Sequence, residues 1–258
     1  PHDVPVLLLD ADATPKITKR IYPNARLESF TLKPNAEVIQ LTDKTLSKAT
    51  VLDRPAVNNS GNRREMAELV RAEVYRDSLT GNRGVLAIAT KEIVAAMFKD
   101  AGYDIDSMDA NAAKALMMDT PLHGARWLWF GPASLGLNTW EKFGTAIVFG
   151  REELPVGVLE DMGLALFGDT DEPVQMVQPN EKGQMLLPRV PLPLHMADGS
   201  AAALATTAHP DRRVREIQEQ TRERSTGQSI ERLRLANAVN RKRVVLASAV
   251  PIPNLPVD

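Results

Sequence analysis

Short apolar runs separated by helix-like segments are the feature that most constrains how this chain can fold. The clearest runs are residues 84–90, 126–130, 145–150 and 243–247. Each is continuous rather than alternating, which is typical of a strand buried on both faces of a parallel sheet. Because the strands alternate with helices, the sequence predicts an α/β fold with a mostly parallel sheet flanked by helices.

Periodicity and turn residues predict the remaining elements. We expect helices near residues 63–77, 92–99, 108–118, 156–167 and 211–237, and further strands at 4–9 and 37–41. Residues 16–35 look irregular because prolines interrupt them. The interval 168–210 is also rich in proline, and Asp198 with Gly199 is typical of a hairpin turn. We therefore expect a small β-rich insertion there.

Composition excludes several classes of protein. With 43% hydrophobic and 25% charged residues the chain is typical of a globular domain. No apolar run approaches the roughly 20 residues that span a bilayer. The chain has no cysteine, and its four histidines are not spaced as metal ligands. We therefore expect a cytoplasmic protein with no membrane association and no metal site of its own.

Charge is distributed unevenly along the chain. Residues 211–243 hold ten Lys or Arg and five Asp or Glu, so this segment is +5 and the remainder is −7 for a total of −2. A basic segment in an acidic protein indicates a polyanionic partner such as a nucleotide or nucleic acid. The alternative is a solvated helix on which Glu and Arg side chains pair with each other.

Two polar segments follow predicted strands, where α/β proteins usually bind ligands. Asp12 and Thr14 offer a carboxylate and a hydroxyl for a nucleotide, or they cap a turn or helix. Thr90 and Lys91 open a helix, and a hydroxyl, a cation and free amides together can bind phosphate. The alternative for this pair is an N-cap threonine beside a solvent-exposed lysine.

The loop between the strands at 126–130 and 145–150 contains small residues that allow the backbone to approach a ligand. Gly136 is one of them, and we expect Asn138 and Glu141 to supply polar contacts at the same end of the sheet. The alternative is a tight crossover loop with no ligand.

Gln228, Arg232 and Arg234 lie on the basic helix predicted near the end of the chain. Arginine suits phosphate because its planar fork donates two parallel hydrogen bonds and stays charged. Ser225 and Gln228 also have the spacing of a capping box, so Gln228 has a structural alternative. The chain contains no Gly-x-x-x-x-Gly-Lys-[Ser/Thr] loop, so it cannot hold a triphosphate as P-loop proteins do.

Taken in order, these segments resemble the C-terminal half of a superfamily 2-type helicase. More narrowly, they look like helicase-like proteins of phages, plasmids and integrated elements that are often linked to primases. The segment from Asp12 to Pro15 is similar to motif III, which ends the last strand of the first RecA-like lobe. Residues 85–91 look like the motif IV region, and residues 136–151 resemble motif V and the strand after it.

Gln228, Arg232 and Arg234 resemble motif VI, which is commonly Gln-x-x-Gly-Arg-x-x-Arg. This chain departs from the pattern in having Glu231 at the position of the glycine and Arg234 one residue early. The arginine that often precedes the glycine of motif V is also absent, since Ser134 and Leu135 occupy that place.

The resemblance implies a domain organisation and a set of nucleotide contacts. Residues 1–22 would be the truncated last strand of the first RecA-like lobe, and residues 23–258 the second lobe with its insertion at about 168–210. ATP and Mg²⁺ would bind only together with the missing N-terminal lobe of the same parent protein. The resemblance assigns catalytic roles to Arg232, as the arginine finger, and to Arg234. It assigns nucleotide contacts to Gln228, Asp12, Thr14 and Glu141.

The resemblance also implies a DNA partner, single-stranded or forked, for an ATP-dependent helicase motor. Thr90, Lys91, Gly136 and Asn138 would contact the nucleic-acid backbone. One alternative is a non-enzymatic, degenerate RecA-like module that binds DNA or a protein. Another is a self-contained phosphohydrolase that uses Asp12.

Overall fold

The computed structural model describes residues 7–8, 13–131 and 139–258. Most of the strand expected at residues 4–9 lies outside the described residues. Leu7 and Leu8 are exposed and belong to no strand.

The fold is built on a five-stranded sheet in which every pairing is parallel. Its strands are β1 (Ala36–Gln40), β2 (Val85–Ala89), β3 (Arg126–Trp129), β4 (Thr145–Phe149) and β7 (Lys242–Ala247). Across the sheet the order is β1-β7-β4-β2-β3. The predicted α/β class is confirmed, and the sheet is consistent with a RecA-like fold.

Helices flank the sheet. They are α1 (Pro15–Ile21), α2 (Lys48–Val51), α3 (Ser60–Thr80), α4 (Lys91–Asp100), α5 (Ala110–Asp119), α6 (Val156–Phe167), α7 (Arg212–Glu219) and α8 (Ser225–Ile230). Shorter turns are 3₁₀-helical at Ile105–Ser107, Glu231–Leu233 and Leu235–Asn237, and π-helical at Gln220–Arg224. Within the described part of the chain, no helix has the length and apolar content needed to cross a membrane.

Alternate residues of the central strands pack on opposite faces of the sheet. Ala87 and Ile147 are buried in a cluster with residues of α3, α4 and α5. Ile88 and Val148 are buried in a second cluster, which includes Ile230 of α8. Because both faces are covered, the strands are apolar along their length, and this explains their continuous apolar runs.

The interval expected to be β-rich contains an antiparallel hairpin of β5 (Arg189–His195) and β6 (Ala201–Thr207). Its turn includes Asp198, whose carboxylate accepts a hydrogen bond from the Ser200 N–H at 2.8 Å. Leu194 and Leu204 attach the hairpin to the second cluster of the core. The expected β-rich insertion is therefore confirmed.

The chain after β7 folds back along β1, which is an edge strand. The Asp258 N–H donates to the Val38 carbonyl at 2.9 Å, and the Val38 N–H donates to the Asp258 carboxylate at 2.7 Å. Arg241 donates to the same carboxylate at 2.6 Å. These bonds satisfy the main-chain groups of Val38 that β7 does not use.

Two local expectations are wrong. The residues from Pro15 to Ile21 are helical rather than irregular, because proline is well tolerated at the first helical position and Ile17 packs against the core cluster of α6 and α7. Ser225 is not the non-helical N-cap residue that a capping box requires, since its own backbone is helical (φ −59°, ψ −38°). The π-helical turn leads directly from α7 into α8.

Two glycines of α6 provide a matched test of packing on this helix. A Cβ at Gly163 would lie 2.6 Å from Val214 Cγ2 on α7, whereas a Cβ at Gly157 would meet nothing within 4 Å. We expect Gly157→Ala to stabilise the protein by up to about 1 kcal/mol through helix propensity. Gly163→Ala should destabilise it by about 1–3 kcal/mol because the added methyl overpacks the contact with α7. Urea unfolding gives both values, and a stabilised Gly163→Ala protein would contradict the packing described.

Candidate functional site

Basic residues lie within three residues before the starts of three neighbouring strands of the sheet. Arg83 precedes β2, Lys142 precedes β4 and Arg241 precedes β7, whose first residue is Lys242. Parallel strands begin at the same edge, and β2, β4 and β7 are adjacent in the sheet order. The fold therefore gathers these cations at the amino edge of the sheet.

The gathered side chains line a groove made of two adjoining cavities, called here the amino-edge groove. The larger cavity has a volume of about 600 Å³ and the smaller one about 460 Å³. Arg83, Asn240 and Lys242 line both cavities. The further charged residues of the lining are Glu37, Arg76, Arg241 and Arg243 in the larger cavity, and Glu141, Lys142 and Arg234 in the smaller one.

Part of this positive charge is neutralised by carboxylates. Arg243 donates to Glu73 at 2.7 Å and to Glu37 at 2.6 Å, and Arg241 pairs with Asp258. In contrast, no ion pair joins Arg83, Lys142 or Lys242 to a carboxylate among the residues that the structure describes. The groove is therefore strongly positive.

Lys242 is the buried cation at the centre of the groove, with 6% of its surface exposed. Its Nζ donates to the Leu233 carbonyl at 2.6 Å and to the Glu141 carbonyl. Burial lowers the pKa of Lys242, the nearby charge of Arg83 lowers it further, and Glu141 opposes both. Carbonyl dipoles rather than a direct ion pair thus hold this ammonium group in place.

Arg232 and Arg234 lie at the same edge, in the turn that ends the helical segment. Arg234 has a left-handed backbone (φ 54°, ψ 53°), and its exposed side chain lines the groove. The Arg232 side chain is half-buried, and its Nε has no hydrogen-bond partner among the described residues. Burial and the charge of Arg234 both lower the pKa of Arg232. An anion here would relieve both effects.

Glu141 also lies at the amino edge, with its carbonyl bonded to Lys242. This differs from the expectation that it shares an end of the sheet with the polar residues after β3. The reason is that the chain crosses from the carboxyl end of β3 to the amino end of β4 before it reaches Glu141. Asn138 and Gly136 lie outside the described residues, as does Asp12.

Thr90 and Lys91 lie at the opposite, carboxyl edge. Thr90 is buried at the N-cap position of α4 but makes no side-chain cap hydrogen bond, and Lys91 is exposed. The connections from β2 and β4 diverge here, to β3 and β7, which makes this the topological switch point of the sheet. The chain before α2 passes over the same edge at Leu46. A Cβ on Gly150 would lie 2.4 Å from the Leu46 carbonyl oxygen.

Thr14 and Gln228 do not line the groove. Thr14 precedes α1, and its buried hydroxyl has no hydrogen-bond partner within the described chain. Gln228 is half-buried on α8. Of the predicted residues, the structure brings Arg234 and Glu141 together in the groove, with Arg232 near Arg234 but outside the groove lining. The length of the strands separates these residues from Thr90 and Lys91.

A buried ionic network stabilises the π-helical turn and was not expected from the sequence. Arg222 is fully buried and donates to Glu223 at 2.5 Å and 3.0 Å, to Glu153 at 2.9 Å and to the Thr207 carbonyl at 2.8 Å. Gln218 donates to the same Glu153 oxygen at 2.8 Å. Removing one member of such a network leaves the others buried and unpaired. The network thus joins the helical segment to the chain after β4 and to the end of β6.

A second ion pair fixes the start of α7. The Asp211 carboxylate accepts hydrogen bonds from Arg213 Nη2 at 2.7 Å and from the Gln175 N–H at 3.0 Å. Arg213 in turn donates to the Thr170 hydroxyl at 2.8 Å and the Glu172 carbonyl at 3.0 Å. The basic segment therefore contains several charges that serve structure, alongside those of the groove. Arg222 is fully buried and pairs partly with Glu153 outside the segment, which differs from the solvated, self-paired helix of the alternative.

Sequence reasoning missed Arg83, Lys142 and Lys242. A signal for them was present, because each lies within the three residues before a predicted apolar run. Amino ends of parallel strands converge just as carboxyl ends do. Recognising the groove also required the sheet order, which places β2, β4 and β7 side by side.

We compared the chain with models of protein families, with curated proteins and with solved structures, and none of the three comparisons found a match.

The Asp211 ion pair predicts a pH dependence of stability. Arg213 holds the pKa of Asp211 below its usual value of 3.8, so the pair stabilises the folded state above that pH and its contribution is lost as pH falls. We expect Asp211→Asn to lower the free energy of unfolding by about 1.5–3 kcal/mol at pH 7. This difference in the free energy of unfolding should narrow as pH falls below about 3.8, and urea titrations at several pH values measure it.

The matched control is Asp161→Asn, since Asp161 is exposed on α6 and has no ion pair within the described chain. It should change stability by less than about 0.5 kcal/mol at every pH. If the loss of unfolding free energy in Asp211→Asn stayed constant from pH 7 to well below pH 3.8, the ion pair would not be its cause.

Proposed function

We propose that this chain is the second RecA-like lobe of an ATP-dependent DNA helicase, and that Arg232 is its arginine finger. The observation that carries this proposal is the buried Nε of Arg232, which lacks a partner among the described residues. A buried, charged donor without an acceptor is costly, so native proteins rarely keep one without a reason. A phosphate oxygen brought by another lobe would satisfy it.

Arg234 supports the same proposal. It lies beside Arg232, and its charge adds to the positive potential that lowers the pKa of Arg232. In phosphoryl transfer, negative charge develops on the equatorial oxygens of the transferred group and on the leaving oxygen. Two adjacent guanidinium groups suit that charge because each presents a planar set of donors. Glu141 and Gln228 would complete the nucleotide side of the cleft.

The other half of this site would come from the N-terminal RecA-like lobe of the same parent protein. That lobe would hold ATP and Mg²⁺ through a P-loop and an acidic strand end, because this chain contains no P-loop sequence. Thr14 and Asp12 would lie near the junction of the two lobes. This chain alone should therefore not hydrolyse ATP.

DNA would bind separately from ATP in this proposal. Thr90 and Lys91 are at the carboxyl edge of the sheet, whereas Arg232 and Arg234 are at the amino edge. One small ligand cannot contact both pairs. Thr90 and Lys91 are therefore proposed as contacts to the DNA backbone, and Arg232 and Arg234 as contacts to ATP. Gly136 and Asn138, which lie outside the described residues, are proposed as DNA contacts from the sequence resemblance alone.

The arginine finger is tested in a protein that joins this chain to its P-loop lobe. We expect Arg232→Ala to lower kcat for DNA-stimulated ATP hydrolysis by about 10³-fold or more, with a smaller change in KM, because the finger acts mainly on the transition state. Arg232→Lys should restore little of the activity, since an ammonium group cannot donate bidentately. Steady-state hydrolysis assays measure both.

Arg54→Ala is the control, because Arg54 is exposed and lies in a loop between α2 and α3. It should leave kcat unchanged. If Arg232→Ala also left kcat unchanged, the chain would be better described as a non-enzymatic RecA-like module that binds DNA or a protein. ATP hydrolysis by this chain alone would equally contradict the proposal and would favour the phosphohydrolase alternative based on Asp12.

A further inference from the structure

We infer that the amino-edge groove is a binding site for two or more linked phosphate groups, formed by Arg83, Lys142 and Lys242. These three residues are outside the proposed nucleotide contacts, although Arg234 and Glu141 line the smaller cavity of the same groove. The inference does not depend on ATP hydrolysis or on a second lobe.

The spacing of the three cations is the first argument. Lys242 is the first residue of β7, Arg83 lies two residues before β2, and Lys142 lies three residues before β4. These three strands are consecutive neighbours in the sheet. Neighbouring strands lie about 4.8 Å apart, so the starts of β2 and β7 are separated by about 10 Å. A single phosphate is smaller than this span, whereas a chain of linked phosphates can contact all three strand starts.

The burial and the hydrogen bonds of the cations are the second argument. Lys242 is buried and uses two of its three donors on the carbonyls of Glu141 and Leu233, yet it lines both cavities of the groove. Arg83 donates to the Arg241 carbonyl at 3.1 Å, which holds its guanidinium against the groove. Like charges held close together destabilise a fold unless something offsets them, and a bound polyanion would do so.

The neutral part of the lining is the third argument. Asn237 and Asn240 add amide groups that can donate to phosphate oxygens, and Thr80 adds a hydroxyl to the lining of the larger cavity. Among the described residues that line the groove there is no aromatic ring on which a base could stack. Recognition would therefore act on the phosphates, either of a free polyphosphate or of a single-stranded nucleic-acid backbone.

The experiment removes two exposed or half-exposed charges from the groove and leaves the buried Lys242 in place. The test protein carries Arg83→Gln and Lys142→Gln together. The control carries Arg54→Gln and Lys114→Gln, which remove the same charge from exposed positions outside the groove. Circular dichroism and urea unfolding check that all the proteins are folded.

Two ligands distinguish the two sources of phosphate. Calorimetry measures the binding of inorganic tripolyphosphate, and fluorescence anisotropy measures the binding of a short labelled thymidine oligonucleotide over a range of salt concentrations. If the ligand is a free polyphosphate, tripolyphosphate should bind the groove variant about tenfold or more weakly than the control. If it is a nucleic-acid backbone, the oligonucleotide should show that loss, and its salt slope should fall by about 1.4 for two lost contacts.

Equal affinities of the groove variant and the control for both ligands would overturn the inference, and so would the absence of binding by the unmodified chain. Because these measurements use the chain alone and leave Arg232 intact, they are separate from the hydrolysis test. Either proposal can therefore fail without the other.

Discussion

The parallel pairing of β2, β4 and β7 is the constraint on which the placement of charge in this protein depends. Parallel strands direct all their starts to one edge of the sheet and all their ends to the other. Residues far apart in sequence, such as Arg83 and Lys242, therefore become neighbours, whereas Thr90 and Arg83, only a strand apart in sequence, are kept on opposite edges. The two edges consequently differ in chemistry. Cations cluster at the amino edge. At the carboxyl edge Thr90 is buried and Lys91 is exposed, and the chain passes over this edge at Leu46.

A second constraint acts on the helical segment that carries Arg232. Arg222 is buried where the π-helical turn passes the end of β6, and its pairing with Glu223 and Glu153 fixes that turn. Burial raises the pKa of the Glu223 carboxyl group, and the adjacent Arg222 opposes this effect. Because α8 continues from this turn without a break, the position of Arg232 at the other end of the segment depends on a network at the opposite edge of the sheet.

Most of the fold was predictable from local pattern, and most of the candidate site was not. The strands at 85–89 and 145–149 and the helix at 156–167 follow their sequence patterns closely, because burial on both faces imposes one simple pattern of apolar residues. The helix at Pro15–Ile21 was missed because its stability comes from contacts with distant α6 and α7. The amino-edge groove depends on the order of strands across the sheet, which no local pattern encodes. The arginine-finger role itself stays a prediction.

The hydrogen bonds between Asp258 and Val38 have a consequence for how molecules of this protein meet one another. An edge strand with free main-chain groups can accept a strand from a neighbouring molecule, and this is a common route to aggregation. Here both main-chain groups of Val38, at the middle of β1, are already bonded to Asp258, and Arg241 holds that carboxylate in place. The middle of β1 is therefore already occupied, and strand addition by a neighbouring molecule is disfavoured at that position.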